Sequence, residues 1–547
     1  MRNSFVTGVV GLVVSVCLTS ISVGQYTYAS LERLGLQRNW STMVDSNPSL
    51  SGIAGIAISV NQDDAQAITT HELEYEGGFK RFSPFDMGQG GEPIGVEEAL
   101  RLAEVEKIRK EALGRKPILT TKKIKPVELF VSTTTGVLQS INAETGKTNW
   151  SISVGSPRRP TSSPAANDWY VAVINGSQLF VVDRDTGEPV FDRELQSSPM
   201  VGSSRSFMGP IVTNFGFQTI DEQPVSEDWI YVPCTGGRLE AYSIGEPTSP
   251  PWFTTTRGDV VATPAIGAGR VAWTNSIGYL QVADARDHEM RFRLQTGDQI
   301  DSAAAYLSPG RFFVAARNGY LYAIDEKSEN IVWEFSTAQP ILDRPIAVGG
   351  DVFVTTQDNT MFCVGSNGLE KWTAAAVNSF LSASENRVYA VDDRGQLTVL
   401  SRKTGVRLGP SIRVNARPII NTETDRIYVA SRLGQVYCFS EIGSEFPTIH
   451  HQKEVLEEDR PFAKRRPSTV EEPVDPDAEE SPSDFTEDPV GDEPDLDDDS
   501  PFNFGDGDDM GDDLTDDTLT EDDGMEDDDF GMDEGDDDNP FDFGDDE

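Results

Sequence analysis

At 547 residues, with 25% charged and 37% hydrophobic residues, the chain has the make-up of a globular protein able to bury a large core. Its formal net charge of -46 excludes a binder that captures nucleic acid on a basic surface. That charge is concentrated, because residues 471–547 hold 38 acidic residues and no Lys or Arg, leaving about -8 for everything before them.

In residues 1–24, Arg2 precedes an apolar run from Phe5 to Leu18, and the segment ends Ser22-Val23-Gly24. This is the pattern of an export signal cleaved before Gln25. A lipid anchor on Cys17 or an uncleaved anchor are the alternatives, although Val16 stands where a lipobox needs a small residue. No other segment is long and apolar enough to cross a bilayer, so membrane association is expected only through this segment or a partner.

Residues 25–115 read as an N-terminal extension. Ser51–Val60 (SGIAGIAISV) is an apolar strand candidate, and the polar, Gly-rich residues 61–94 read as a loop. From Val96 to Leu113, apolar residues at Val96, Leu100, Ala103, Val105, Ile108 and Leu113 alternate with charged ones and Gly114 follows, which predicts an amphipathic helix with a Gly stop. Such a helix packs on the outside of the main domain or takes a partner.

Residues 116–443 are organised by a repeat whose clearest copy is Phe312–Trp333. An apolar run, the Asn318-Gly319 turn and the alternating Leu321, Ala323, Asp325 predict a hairpin, and Trp333 lies in a third extended run. Anchors matching Leu321 are Leu138, Leu179, Leu239, Leu280, Met361, Leu397 and Val436, spaced 41, 60, 41, 41, 40, 36 and 39 residues apart in chain order. Periods near 40 indicate a stacked or radial array, since one such unit buries too little apolar surface to stand alone. Pro164, Pro199, Pro264, Pro345 and Pro418 precede most copies, where Pro suits the first residue of an inner, channel-lining strand. Each repeat therefore needs four short strands. Pro117–Thr121 is read as a strand of the first repeat, and Ser51–Val60 as the missing fourth strand of the eighth, so that the two ends of the chain close one unit.

The long interval contains an insertion over residues 203–227 with Phe207, Phe215 and Phe217 in polar surroundings. These aromatics are candidates for partner contact, the alternative being packing back on the repeat. Arg344 and Arg417 each precede a Pro that opens an inner strand, which makes them candidate channel-lining residues. Cys363 and Cys438 occupy the place of Ala323, and Cys234 that of Ala316, so all three read as buried, inert thiols.

Residues 444–547 are expected to be a disordered, Asp/Glu-rich tail. Within it Pro501-Phe502-Asn503-Phe504-Gly505-Asp506 is echoed by Pro540-Phe541-Asp542-Phe543-Gly544-Asp545. Phe502, Phe504, Phe541 and Phe543 are thus a candidate bivalent motif, against compositional drift. Asp506, Asp508 and Gly511 approach calcium-loop spacing, but Met510 stands where an oxygen is needed, so only weak, diffuse cation binding is expected. No phosphate loop, metal-spaced Cys/His cluster or nucleophile elbow is present, and no catalytic, cofactor-binding or metal residue is assigned.

The pattern Gly319-Leu321-Ala323-Asp325 with Trp333, together with Thr145-Gly146-Trp150 and Asp183-Thr186-Gly187, resembles the PQQ-like β-propeller repeat. The resemblance implies an all-β, eight-bladed propeller of four-stranded antiparallel blades in which the repeated aromatic docks each blade on the next. Quinoprotein dehydrogenases of this class bind pyrroloquinoline quinone and calcium on the axis beneath adjacent cysteines, and this chain has no Cys-Cys pair. The non-catalytic, BamB-like propellers of the outer-membrane assembly machinery resemble it more closely in size and export. The expectation is therefore an exported periplasmic or envelope scaffold that is monomeric, has no cofactor and binds protein partners, basic ones being attracted by the tail. A quinoprotein dehydrogenase or small-ligand-binding propeller is the alternative.

Overall fold

All eight anchors, Leu138, Leu179, Leu239, Leu280, Leu321, Met361, Leu397 and Val436, are buried to 1% exposure or less, and each is the second residue of the strand it starts. Those strands are the third, C, of eight four-stranded antiparallel sheets, which makes the protein an all-β, eight-bladed propeller. The computed structural model describes residues 28–450, apart from 46–50, 64–65, 76–77, 87, 89–93, 202–206, 221–222, 309, 414–416, 432 and 445. The export segment and the tail motif at Phe502, Phe504, Phe541 and Phe543 lie outside the described residues. Among those described, no helix is long and apolar enough to cross a membrane.

Blade 1 has strands A to D at Ile53–Val60, Val127–Thr133, Val137–Asn142 and Thr148–Ser153. Blades 2 to 7 follow at 165–194, 211–255, 265–295, 305–336, 346–375 and 377–413. Blade 8 takes A to C from Arg417–Ile419, Ile427–Ala430 and Gln435–Glu441, and its outer strand D from Leu36–Met43. B and C strands are covered on both faces by neighbouring blades, so they read as continuous apolar runs such as Val171-Ala172-Val173-Ile174, all at 0% exposure. D strands cover one face only and alternate, as in Thr148–Ser153.

Ring closure differs from the sequence expectation. The eighth blade is completed by Leu36–Met43, whereas Ile53–Val60 pairs with Val127–Thr133 as the inner strand of blade 1. The reason is crowding at the axis. A Cβ on Gly55 would lie 2.4 Å from the Ser163 Cα, so this small-residue strand suits the centre of the ring. Leu36–Met43 instead supplies Trp40 opposite Cys438, as Trp150 faces Ser140, Trp333 faces Ala323 and Trp372 faces Cys363. All four outer strands carry a bulge beside that aromatic.

Residues 61–126 form a small α/β insert between strands A and B of blade 1. Strands Ile68–Tyr75, Gly78–Phe82 and Ile118–Ile124 pair antiparallel, with the first in the middle, and helix Gly95–Ala112 packs on them. Ile118–Ile124 covers the stretch read as a blade strand, and Ile68–Tyr75 the stretch read as loop. The helix falls where its period predicts, yet it buries Ala99 and Ala103, while Val105 and Ile108 stay 51% and 65% exposed. Small residues let the helix approach the sheet closely, and the predicted apolar stripe is largely turned to solvent.

Candidate interaction face

The repeated aromatic works as a clamp between blades. Trp40, Trp150, Trp333 and Trp372 each donate their indole N–H to a carbonyl in the C–D turn of the next blade: Ala143, Arg184, Ser366 and Arg402, at 2.8, 2.8, 3.0 and 2.7 Å. Their rings lie on Gly146, Gly187, Gly368 and Gly405, where a Cβ would come within 2.7 Å. His288 holds the equivalent turn of blade 4 at φ +62° and is stacked by Trp252 at 4.7 Å. Burial pushes the His288 imidazole down to about 4, so it stays neutral.

Antiparallel order places A–B and C–D connections on one face of the ring and B–C and D–A connections on the other. The insert at 61–126 and the hairpin Phe217–Ile220 with Gln223–Ser226 are both A–B connections, so they share a face. Residues 442–450, which follow strand C of blade 8, emerge on it too. There Phe446 lies under the Arg81 guanidinium of the insert at 3.7 Å. Arg81 also donates to Glu72 at 2.8 Å, and Lys122 pairs with the same carboxylate at 2.5 Å. Burial alone would raise the Glu72 carboxyl, but its Lys122 and Arg81 hydrogen bonds hold it below the ordinary range.

The hairpin is anchored at its base by Asp228. This carboxylate accepts hydrogen bonds from the Phe215 amide at 2.6 Å, the Thr213 hydroxyl at 3.0 Å and the Asn167 amide of blade 2 at 3.0 Å. Burial still pushes it up to about 6 against those bonds. Phe207 is half-buried among Val212, Ile230 and Cys234, and Phe215 packs beside Trp229 with Arg286 over its ring at 4.5 Å. Phe217 remains 42% exposed, edge-on to Trp169 at 5.1 Å, with Ile220 at 45% exposure farther along the hairpin. Of the three aromatics, two pack back on their blades and Phe217 is exposed.

Arg344 and Arg417 lie at the opposite end of the inner strands, on blades 6 and 8. Both are exposed, and Arg344 is nevertheless surrounded deeply enough that desolvation lowers its guanidinium's pKa, with Glu423 acting in the opposite direction. A shallow cleft of about 500 Å³ on the same face, lined by Asp392, Asp393, Arg394 and Arg407, is polar, and Arg407 already donates to the Ala375 and Ala376 carbonyls.

The donor set does not fit a quinone–calcium centre. Cys234, Cys363 and Cys438 are buried in blades 3, 6 and 8, the Cys363 thiol being pushed up to about 12 by burial. Among the described residues no group of three or more His, Cys, Asp or Glu side chains is placed to hold a cation. The signals that sequence reasoning missed are Trp40, which stands outside the repeat register, and Asp228, which sits in no motif.

The solved structures similar to this chain include these two. BamB from Moraxella catarrhalis is 14% identical, covering 59% of this chain and 93% of its own, with a TM-score of 0.45. The computationally designed protein Ika8 is also 14% identical, covering 57% and 92%, with a TM-score of 0.41. No curated protein matches the chain. Residues 107–215 and 257–455, more than half of the sequence, match the family described as outer membrane protein assembly factor BamB, and the chain belongs to that family.

Proposed function

We propose that the protein is an exported, non-catalytic propeller that holds protein partners in the cell envelope on the face built by its A–B and C–D connections. The observation that carries this reading is the gathering of non-repeat elements there: the insert at 61–126, the 217–226 hairpin and residues 442–450. Repeats build the blades, so selective recognition has to come from what interrupts them. Family membership supports the same reading, since the family's description names outer-membrane protein assembly. No cofactor is assigned a role, and the tail, with 38 acidic residues over 471–547, favours basic partners or keeps the protein soluble.

The test is crosslinking capture from the native envelope, comparing wild type with a Phe217→Ser, Ile220→Ser double variant. Both side chains are exposed, so melting should hold within a few degrees while the yield of a discrete partner falls several-fold. Unchanged capture would remove the hairpin from the contact surface. Saturable dehydrogenase activity on adding pyrroloquinoline quinone and calcium would overturn the non-catalytic reading.

A further inference from the structure

One stretch of the insert carries a charge opposite to that of the chain. Residues 107–125 include eight Lys or Arg and a single acidic residue, Glu111, in a protein of net charge -46. This basic stretch runs through strand Ile118–Ile124, which is an edge: it pairs with Ile68–Tyr75 on one side, and no described strand pairs with it on the other. Arg115, Lys116, Lys122 and Lys123 are exposed along it, and Ile118 is 63% exposed on the sheet face away from the helix.

Lysines on an edge strand are a common device against self-pairing, and here they disfavour a second copy, because antiparallel pairing of two such strands sets Lys near Lys. The same charges favour a strand of the opposite sign. We propose that Ile118–Ile124 is a docking strand for an extended, acidic segment of a partner protein, which adds to the insert sheet by backbone hydrogen bonding. The proposal rests on the scaffold reading and names its partner chemistry. From Lys116 to Lys123 the edge spans about 23 Å at strand rise, so a segment of about seven residues meets positive charge at both ends. Polypeptide is favoured over an anionic lipid surface because only a peptide backbone satisfies the row of N–H and C=O groups on an open edge.

The experiment is fluorescence anisotropy of the full chain with a labelled peptide of alternating Glu and Thr, and with the same peptide N-methylated on one edge. Wild type should bind the first saturably and more weakly at high salt. The N-methylated form and a Lys116→Glu, Lys123→Glu variant should each lose at least tenfold in affinity. Equal binding of both peptides would reduce the site to diffuse charge attraction and overturn strand addition. Binding to phosphatidylglycerol vesicles that is lost in the variant, with no peptide binding, would overturn the protein partner in favour of lipid. A failed peptide result with crosslinking at Phe217 intact rejects this edge alone; loss of both rejects the scaffold reading as well.

Discussion

Glu144 sits in the C–D turn of blade 1 onto which Trp40 docks, facing Asp425 and Arg426 of blade 8 and Arg81 of the insert. At two other seams an Arg in the corresponding turn pairs with an acid of the preceding blade: Arg184 with Glu128 at 2.7 Å and Arg402 with Asp351 at 2.8 Å. At the closing seam the signs are exchanged, and the Glu144 Oε1 and Tyr428 hydroxyl are buried without a hydrogen-bond partner among the described residues. Burial pushes the Glu144 carboxyl up to about 7 from 4.5, outweighing the pull of Arg426 and Arg81. The folded state therefore binds this proton more tightly than the unfolded one, so the contribution is full below pH 4.5 and is lost as pH rises through 7. Glu144→Gln, which keeps the neutral shape, should match wild type at pH 5 and be more stable by about 2 kcal/mol at pH 8. Thermal unfolding at the two pH values checks this, and a variant that melts with wild type at both contradicts it. At this scale much was legible: Trp150, Trp333, Trp372, Gly146 and Gly187 announce the clamp. His288 and Glu329 did not, because they hold left-handed turns, at φ +62° and +60°, that sequence reasoning assigns to Gly.

Among elements, the closing strand is the one on which the ring depends. Trp40 is 8% exposed and bridges blade 8 to Ala143 and Gly146 of blade 1, so Trp40→Ala removes a clamp equal to that of Trp150. Each substitution should cost about 3–5 kcal/mol in denaturant unfolding. A cost under about 0.5 kcal/mol for Trp40→Ala, the range of surface substitutions, would mean that Leu36–Met43 does not hold the ring. Closure by an upstream strand followed from counting strands, because the eighth repeat ran out after Cys438. Which strand did not follow: the uniform apolar character of residues 51–60 suits a blade without saying where, and the aromatic that marks an outer strand lay upstream at Trp40. The insert sheet was hidden for another reason. Its central strand buries Thr70, His71 and Glu72, polar residues that each hydrogen-bond to a neighbouring strand and give no apolar alternation to read.

For the whole molecule, the repeat predicts the ring and its blade count, because blade-building residues recur by necessity. It is silent on recognition, since the elements that differ between blades form no pattern. Topology supplies what the sequence lacked: the insert, the hairpin and residues 442–450 are far apart in the chain, and strand order brings them to one face. That face combines exposed apolar side chains on the hairpin with a basic edge on the insert, in a chain that is otherwise strongly acidic. A scaffold of this kind should engage partners on one side only. The most direct measurement is photo-crosslinking in the native envelope, with a photoreactive residue placed singly at Phe217 and Lys123 on this face and at Arg394 on the other. Discrete protein adducts from the first two and none from Arg394 are predicted; adducts from Arg394 alone, or none from any position, would contradict the account.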